Sequence, residues 1–300
     1  MKILVLGGAS YDDIVHVDEF FEATSSTVFT NKSYATPGST GIGKSIALKK
    51  LGFDVTFQAL IGDDYYGKMI TNTMKKEGVK FHPHITDKTE KHINIMNKHG
   101  ERITMFTQMP NELDIDVYKY EKLIKEADIV ALNIKNYCRY YIPLLKKYNK
   151  PVFCDLHDYD GFNPHHQDFI INSDHIFFST EKMKNYELFM NNMINKGKKL
   201  VIATKANDGA VALDKNGLVE IPSNKIKIID TNGAGDNFFA GFLYGYTHKH
   251  NLKDSLLMGR IAAESCIQSE KIVSDELSEA YLEENFEKLK NIVENLYDIG

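Results

Sequence analysis

Short apolar runs punctuated by glycine recur along the chain. Ile3 to Leu6 is solidly apolar and ends at Gly7-Gly8, the pattern of a strand buried on both faces. Val55 to Leu60, Asp128 to Leu132, Pro151 to Cys154, His175 to Phe178 and Leu200 to Ala203 read the same way. Between these runs lie amphipathic stretches with helical spacing, such as Ser45 to Leu51, Tyr65 to Glu77 and Glu181 to Ile194. Strand and helix in alternation predict an α/β fold with a mostly parallel central sheet and helices on both faces. Ligands in such folds sit beyond the carboxyl ends of the strands.

A second kind of strand is half polar. Asp13 to Val17 alternates, and so does His92 to Met96, which meets Arg102 to Phe106 across Asn97-Lys98-His99-Gly100, a hairpin signal. These runs predict a separate, smaller, one-faced sheet. The chain has no internal repeat, low-complexity tract or linker. The expectation is one domain over residues 1–300, the small sheet drawing its strands from about 12–37 and 90–107.

Composition narrows the function. A formal net charge of -5 argues against a general nucleic-acid binder, which needs surplus Lys and Arg to displace counterions. Cys138, Cys154 and Cys266 are far apart and read as free thiols in a reducing compartment. The opening apolar run is too short for a signal peptide, and no stretch approaches the ~20 apolar residues of a membrane span. No membrane partner and a cytoplasmic location are therefore expected.

Two glycine-rich segments could cradle a phosphate. Gly38-Ser39-Thr40-Gly41-Ile42-Gly43-Lys44-Ser45 spells a P-loop letter for letter. A P-loop follows a buried strand, however, and Thr30 to Pro37 is polar. Val152 to Asp155 would be the strand carrying its magnesium-binding acid. The second segment is Asp230-Thr231-Asn232-Gly233-Ala234-Gly235-Asp236. Lys225 to Ile229 before it alternates like a strand. Phe238, Phe239, Phe242 and Tyr246 after it are spaced as one apolar helix face. Unpaired amides at a helix N-terminus attract anions, and Asp236 would stand at that mouth. A hydroxyl nucleophile needs a carboxylate to take its proton, and the migrating phosphoryl group needs donors for its oxygens. As a lone motif, the segment could equally be a capping turn in which Asp236 complements the helix dipole.

The Asp230 to Asp236 segment, followed by Phe239-Ala240-Gly241-Phe242, resembles the C-terminal signature of the ribokinase-like (PfkB) carbohydrate kinases. Gly7 to Val15 resembles the opening strand and substrate-binding aspartate of that family. Gly38 to Gly52 resembles its N-terminal signature, Gly62-Asp63-Asp64-Tyr65-Tyr66-Gly67 its G-D-D-x-x-G, and Thr204 to Gly209 its nucleotide loop, with Ala206 replacing a glycine. The five matches run in order from about residue 3 to 270. The resemblance implies an ATP-dependent kinase of a sugar or related polyol hydroxyl, with Mg2+ on the phosphates. It implies Asp236 as base and Gly233, Ala234 and Gly235 as anion hole. Asp12, Gly38, Ser39 and Gly43 would line the acceptor site. Thr204, Lys205, Gly209 and Arg260 would border the nucleotide, and Glu181 the metal. The small sheet would be a lid and a candidate homodimer surface. A monovalent cation near Asp230 is left open.

The sequence departs from the pattern twice. Gly43 stands where the family carries a sugar-binding asparagine, which keeps a nucleoside kinase of the same fold as the alternative acceptor reading. Phe178-Ser179-Thr180-Glu181 keeps the acid of an N-x-x-E but loses its asparagine. On this reading the P-loop spelling is coincidental and Lys44 is a solvated or phosphate-side residue without catalytic weight. Cys154, Asp155, His157, Asp158, His165 and His166 match no standard zinc spacing and read as a solvated or substrate-side loop. Tyr65, Tyr66 and Tyr137 to Tyr141 read as aromatic packing. A P-loop NTPase and a non-catalytic, metabolite-binding homologue are the remaining alternatives.

Overall fold

The computed structural model describes residues 1–22, 24–112 and 115–297, with side chains described as far as residue 290. The strands are β1 (Lys2–Leu6), β2 (Ser10–His16), β3 (Lys32–Gly38), β4 (Asp54–Gly62), β5 (Lys80–Thr86), β6 (Glu90–Met96), β7 (Arg102–Gln108), β8 (Ile129–Asn133), β9 (Val152–Asp155), β10 (His175–Ser179), β11 (Leu200–Thr204), β12 (Ala210–Asp214) and β13 (Gly217–Ile221). The helices are α1 (Thr40–Lys50), α2 (Tyr65–Lys76), α3 (Glu121–Glu126), α4 (Ile142–Lys147), α5 (Gln167–Ile171), α6 (Tyr186–Asn195), α7 (Ala234–Thr247), α8 (Leu252–Ile267) and α9 (Glu279–Tyr297).

Nine strands make the central sheet, in the order β13-β12-β11-β10-β9-β8-β1-β4-β5. From β11 to β5 every pairing is parallel; β12 and β13 turn back antiparallel at one edge. Alternate residues of β1 feed opposite faces. Ile3 and Val5 join α1, α7 and α8, whereas Leu4 and Leu6 join the layer of α3 to α6. Burial on both faces explains why these strands are solidly apolar, each such side chain contributing about 1.5–3 kcal/mol of transfer free energy.

The order reverses between β1 and β8, so a crevice opens beyond their carboxyl ends. Asn133 closes β8 there; its Nδ2 donates to Leu6 O at 2.8 Å, and its Oδ1 accepts from Thr40 Oγ1 at 2.9 Å. That fixes the start of α1 over the crevice.

The small sheet runs β3-β2-β6-β7. Its register sets Ser10, Asp12 and Ile14 beside Glu90, His92 and Asn94, with Gly38, Thr36 and Tyr34 on one flank. Phe106 and Thr104 complete the other flank. The buried face is the polar one: Ser10, Asp12, Glu90, His92 and Asn94 are all buried, while Ile103 and Met105 lie exposed on the opposite face. Alternation locates the strands correctly, but the polar side chains point inward.

Three sequence expectations change. Lys225 to Ile229 forms no strand; Ile228 and Ile229 are exposed, and the segment is held by Ile229 N and Asp230 N donating to Ile267 O at 2.9 and 3.2 Å. α7 is buried nearly all round rather than on one face, because it lies between Phe177 of the sheet and α8. The helix expected from Glu181 begins only at Tyr186.

Candidate active site

α1 is the spine of the site. At its start Gly38 lies against the Asp12 carboxylate, and within its second turn Gly43 lies against Asp236. Only five positions separate Gly38, the last residue of β3, from Gly43 in α1, so the two carboxylates flank one short stretch of chain. Ser39, between them, adopts φ 74° at the N-cap position.

Asp12 belongs to a buried charge network. Its Oδ1 lies 3.2 Å from His92 Nδ1, and its Oδ2 accepts from Asn94 Nδ2 at 3.3 Å. His92 Nε2 is 2.6 Å from Glu90 Oε1, and Lys135 Nζ is 2.5 Å from Glu90 Oε2. Burial alone would lower the His92 pKa, but the Asp12 and Glu90 carboxylates outweigh it and push it up to about 9. Burial would raise Glu90, yet His92 and Lys135 bring it below its ordinary value. Phe106 rests 4.2 Å from the His92 ring, centroid to centroid. Ser10 Oγ, on the same face, is buried and has no partner among the described residues.

The mouth of α7 supplies the donors. Gly233 caps the helix with φ 86°, a left-handed turn that glycine takes without strain. Ala234 N donates to Thr231 O at 3.2 Å and Asn237 N to Gly233 O at 3.0 Å. The amides of Gly235 and Asp236 have no acceptor among the described residues, and a side chain added at Gly235 would meet only open space. Two unpaired N–H groups beside an unobstructed surface fit an anion such as a phosphate.

Lys44 is the largest correction. It is not solvated but 1% exposed. Its Nζ donates to Asp236 Oδ1 at 2.6 Å and to Asp155 Oδ2 at 2.9 Å, with the Phe239 ring at 5.3 Å. Asp155 Oδ1 also accepts from His157 N at 2.9 Å. Burial would raise Asp155, but His157 and Lys44 draw it down to about 2. Burial holds Asp236 above the ordinary carboxylate value despite Lys44, as expected of a less generously solvated partner. Lys44 is lifted by its two carboxylates over the opposing effect of burial. The P-loop reading fails here, because Gly41 to Ser45 are helical and buried and β3 belongs to the small sheet.

Gly43 offers no vacant space either. A Cβ there would stand 3.0 Å from both Cβ and Cγ of Asp236 and closer still to its Oδ2. The base candidate occupies the room a side chain would need.

Thr204, Lys205 and Gly209 form one turn between β11 and β12. Lys205 N donates to Gly209 O at 2.8 Å, and Lys205 Nζ pairs with Glu220. Arg260 on α8 joins this neighbourhood through Nη1, which donates to Pro222 O at 2.9 Å, while its Nε faces Glu264 at 3.3 Å. The turn follows the carboxyl end of β11, the same sheet edge at which β9 ends in Asp155. Glu181 is exposed just beyond β10. Among the described residues no group of three or more His, Cys, Asp or Glu could hold a metal, the Cys154 to His166 segment included. Mg2+ that arrives on a nucleotide needs only one or two carboxylates, so a single acid such as Glu181 fits that mode.

The hairpin between β6 and β7 touches the loop before α7. Thr231 Oγ1 donates to Gly100 O at 2.9 Å and Arg102 Nη1 to Asn232 Oδ1 at 2.8 Å. Tyr34 OH donates to Asp230 Oδ2 at 3.1 Å, and Asp230 Oδ1 accepts from Asn232 N at 2.7 Å. Sequence reasoning missed Glu90, His92, Asn94, Lys135 and Asn133. The alternation at His92 and Asn94 was the available signal; nothing local marks the other three.

A mostly parallel α/β sheet with a helix mouth near the carboxyl ends of its strands, beside a polar-faced second sheet, is the architecture of small-molecule phosphotransferases. The family model described as pfkB family carbohydrate kinase matches residues 1–143 and 168–279, and the chain belongs to that family. It is similar to the acarbose 7(IV)-phosphotransferase of Actinoplanes sp., with 25% identity covering 87% of this chain and 90% of the relative. Similarity to the ribokinase of Lactococcus lactis is 26% identity, over 89% of this chain and 91% of that one. A solved microbiome-derived acarbose kinase has the same fold, with TM-score 0.80 and 24% identity over 94% of this chain and 98% of that one. As a member of that family the chain is a kinase, transferring a phosphoryl group to an alcohol.

Proposed function

We propose that the chain moves the γ-phosphoryl group of ATP to a hydroxymethyl group of a sugar or related polyol, with Asp236 as general base. One observation carries this reading: a buried carboxylate and two unpaired amides share the mouth of α7. The Asp236 carboxylate accepts the hydroxyl proton as the oxygen attacks. The amides of Gly235 and Asp236, in the turn set by Gly233 and Ala234, donate to the phosphoryl oxygens. Asp12, Ser10 and Asn94 hold the acceptor's other hydroxyls, the orphaned Ser10 Oγ being the clearest invitation to a polyhydroxylated ligand.

Gly38 and Ser39 shape the wall between Asp12 and Asp236. Gly43 serves the site by yielding space to the base rather than by touching the acceptor. Thr204, Lys205, Gly209 and Arg260 would border the nucleotide, and Glu181 would be the acid that holds its magnesium. ATP supplies the phosphoryl group and Mg2+ charge neutralisation; the residues named here orient the reactants and hold the proton. The small sheet is the lid, and the exposed Ile103 and Met105 on its outer face support a homodimer through it. No helix among the described residues is long and apolar enough to cross a membrane, which supports the cytoplasmic reading.

The test is ADP release from ATP and Mg2+ with D-ribose, D-fructose, acarbose and inosine in turn. Asp236→Asn should lower kcat by about 10²- to 10⁴-fold on any accepted substrate. A native rate in the Asp236→Asn protein would refute the base assignment. Preference for inosine would move the acceptor to the nucleosides.

A further inference from the structure

The site contains a cation that the proposed chemistry does not use. Lys44 is a lysine inside a helix, 1% exposed, with its ammonium clamped between two carboxylates at 2.6 and 2.9 Å. Burying a charge is costly unless the geometry recovers it, so this side chain is held by its partners and not by solvent. One partner is the proposed base, the other the last residue of β9. The residue before Lys44 is the glycine on which the base rests.

We propose that Lys44 is a positioning residue for the phosphoryl transfer: it takes Asp236 Oδ1 and fixes Oδ2 over Gly43 as the proton acceptor. The inference rests on the reading of Asp236 as the base. Three features carry it. The Lys44–Asp236 bond consumes one carboxylate oxygen, so a defined oxygen remains for the acceptor hydroxyl. Gly43 has no side chain to dispute the place of Oδ2. Asp155 anchors the far side of the ammonium, itself tied back by His157 N at 2.9 Å, so Lys44 cannot swing away from the base. Glycine and lysine at 43 and 44 therefore act together: one makes room for the carboxylate and the other pins it.

The ionisable groups facing Asp236 are Lys44 from α1, Asp155 and His157 from the end of β9, and Cys266 from α8. Without the ammonium, two buried carboxylates confront each other and one must hold a proton. The base is then protonated at a pH where the native enzyme works.

The experiment compares the native protein with Lys44→Gln, with the double variant Lys44→Gln/Asp155→Asn, and with Asp236→Asn. Two readouts are used. The first is the pH profile of kcat and KM on the best substrate among D-ribose, D-fructose, acarbose and inosine with ATP and Mg2+. The second needs no acceptor: an NMR titration of protein labelled with ¹³C at the aspartate carboxyls, with the Asp236 signal assigned by its loss in Asp236→Asn. Lys44→Gln should lower kcat about 100-fold at pH 7 while KM changes little, the signature of a misplaced reacting group. The Asp236 midpoint and the acid limb of kcat/KM should both move up by about one pH unit or more. Removing the second carboxylate in the double variant should bring the midpoint part of the way back; that reversal separates an electrostatic role from a loss of fold. His157→Gln should leave the Lys44-dependent displacement in place. A native midpoint and native kcat in a folded Lys44→Gln protein overturn the inference, while an inactive Asp236→Asn protein beside it leaves the base reading standing. An active Asp236→Asn protein overturns the base reading instead.

Discussion

Replacing His92 by glutamine should make the protein's stability less dependent on pH, and the sign can be worked from the structure. His92 lies between Asp12 and Glu90, at 3.2 and 2.6 Å, and its side chain is 8% exposed. Its pKa in the folded protein is raised to about 9 from an ordinary value of 6.5. A group with a raised pKa binds its proton more tightly when folded. The stabilisation is therefore complete below about pH 6.5 and is lost as pH rises through about 9. At 1.36 kcal/mol per unit, the difference amounts to roughly 3 kcal/mol. With an unfolding entropy of about 2.1 cal/mol/K per residue, a chain of 300 residues converts this to about 5 °C of Tm. Urea or thermal unfolding of the native protein and of His92→Gln at pH 6 and pH 9.5 measures it. The native protein's advantage should be larger at pH 6 by that amount and shrink at pH 9.5. An advantage of equal size at both pH values would mean that His92 is neutral when folded, and the charge network described around Asp12 would be wrong.

Two further outcomes follow from local geometry. Gly43→Ala should gain up to ~1 kcal/mol of helix propensity yet displace the Asp236 carboxylate. Differential scanning should thus show Tm within a few degrees of native while kcat falls by about 100-fold; a native kcat would show that the base does not rest on Gly43. If the outer face of the small sheet is the dimer interface proposed above, the native chain should sediment as a dimer and the Ile103→Asp/Met105→Asp variant as a monomer in analytical ultracentrifugation; a native monomer, or an unchanged sedimentation coefficient in the variant, would remove that face as the interface.

The central sheet was legible because strands buried on both faces must be apolar throughout, as Ile3 to Leu6 and Leu200 to Ala203 are. β5 escaped because it lies at the sheet edge, carries Pro83 and buries little. Lys225 to Ile229 misled because alternation is a necessary mark of a strand and not a sufficient one; no neighbouring strand offers it a ladder. The mouth of α7 was readable from glycine spacing, since a left-handed cap and an open approach both demand that residue. Lys44 was unreadable. Its burial depends on carboxylates 111 and 192 positions away, and no local pattern announces a distant counter-charge. Glu90 and Lys135 were hidden for the same reason, as partners that only folding introduces.

The hairpin at Gly100 and Arg102 has a consequence for timing. It is fastened to Thr231 and Asn232, so the small sheet braces the loop that leads into the mouth of α7. If that sheet is the lid proposed above, lifting it would untie the brace in the same movement. A nucleotide bound without its acceptor would then face a slackened turn, and its hydrolysis by stray water would be disfavoured at the moment when water has entry.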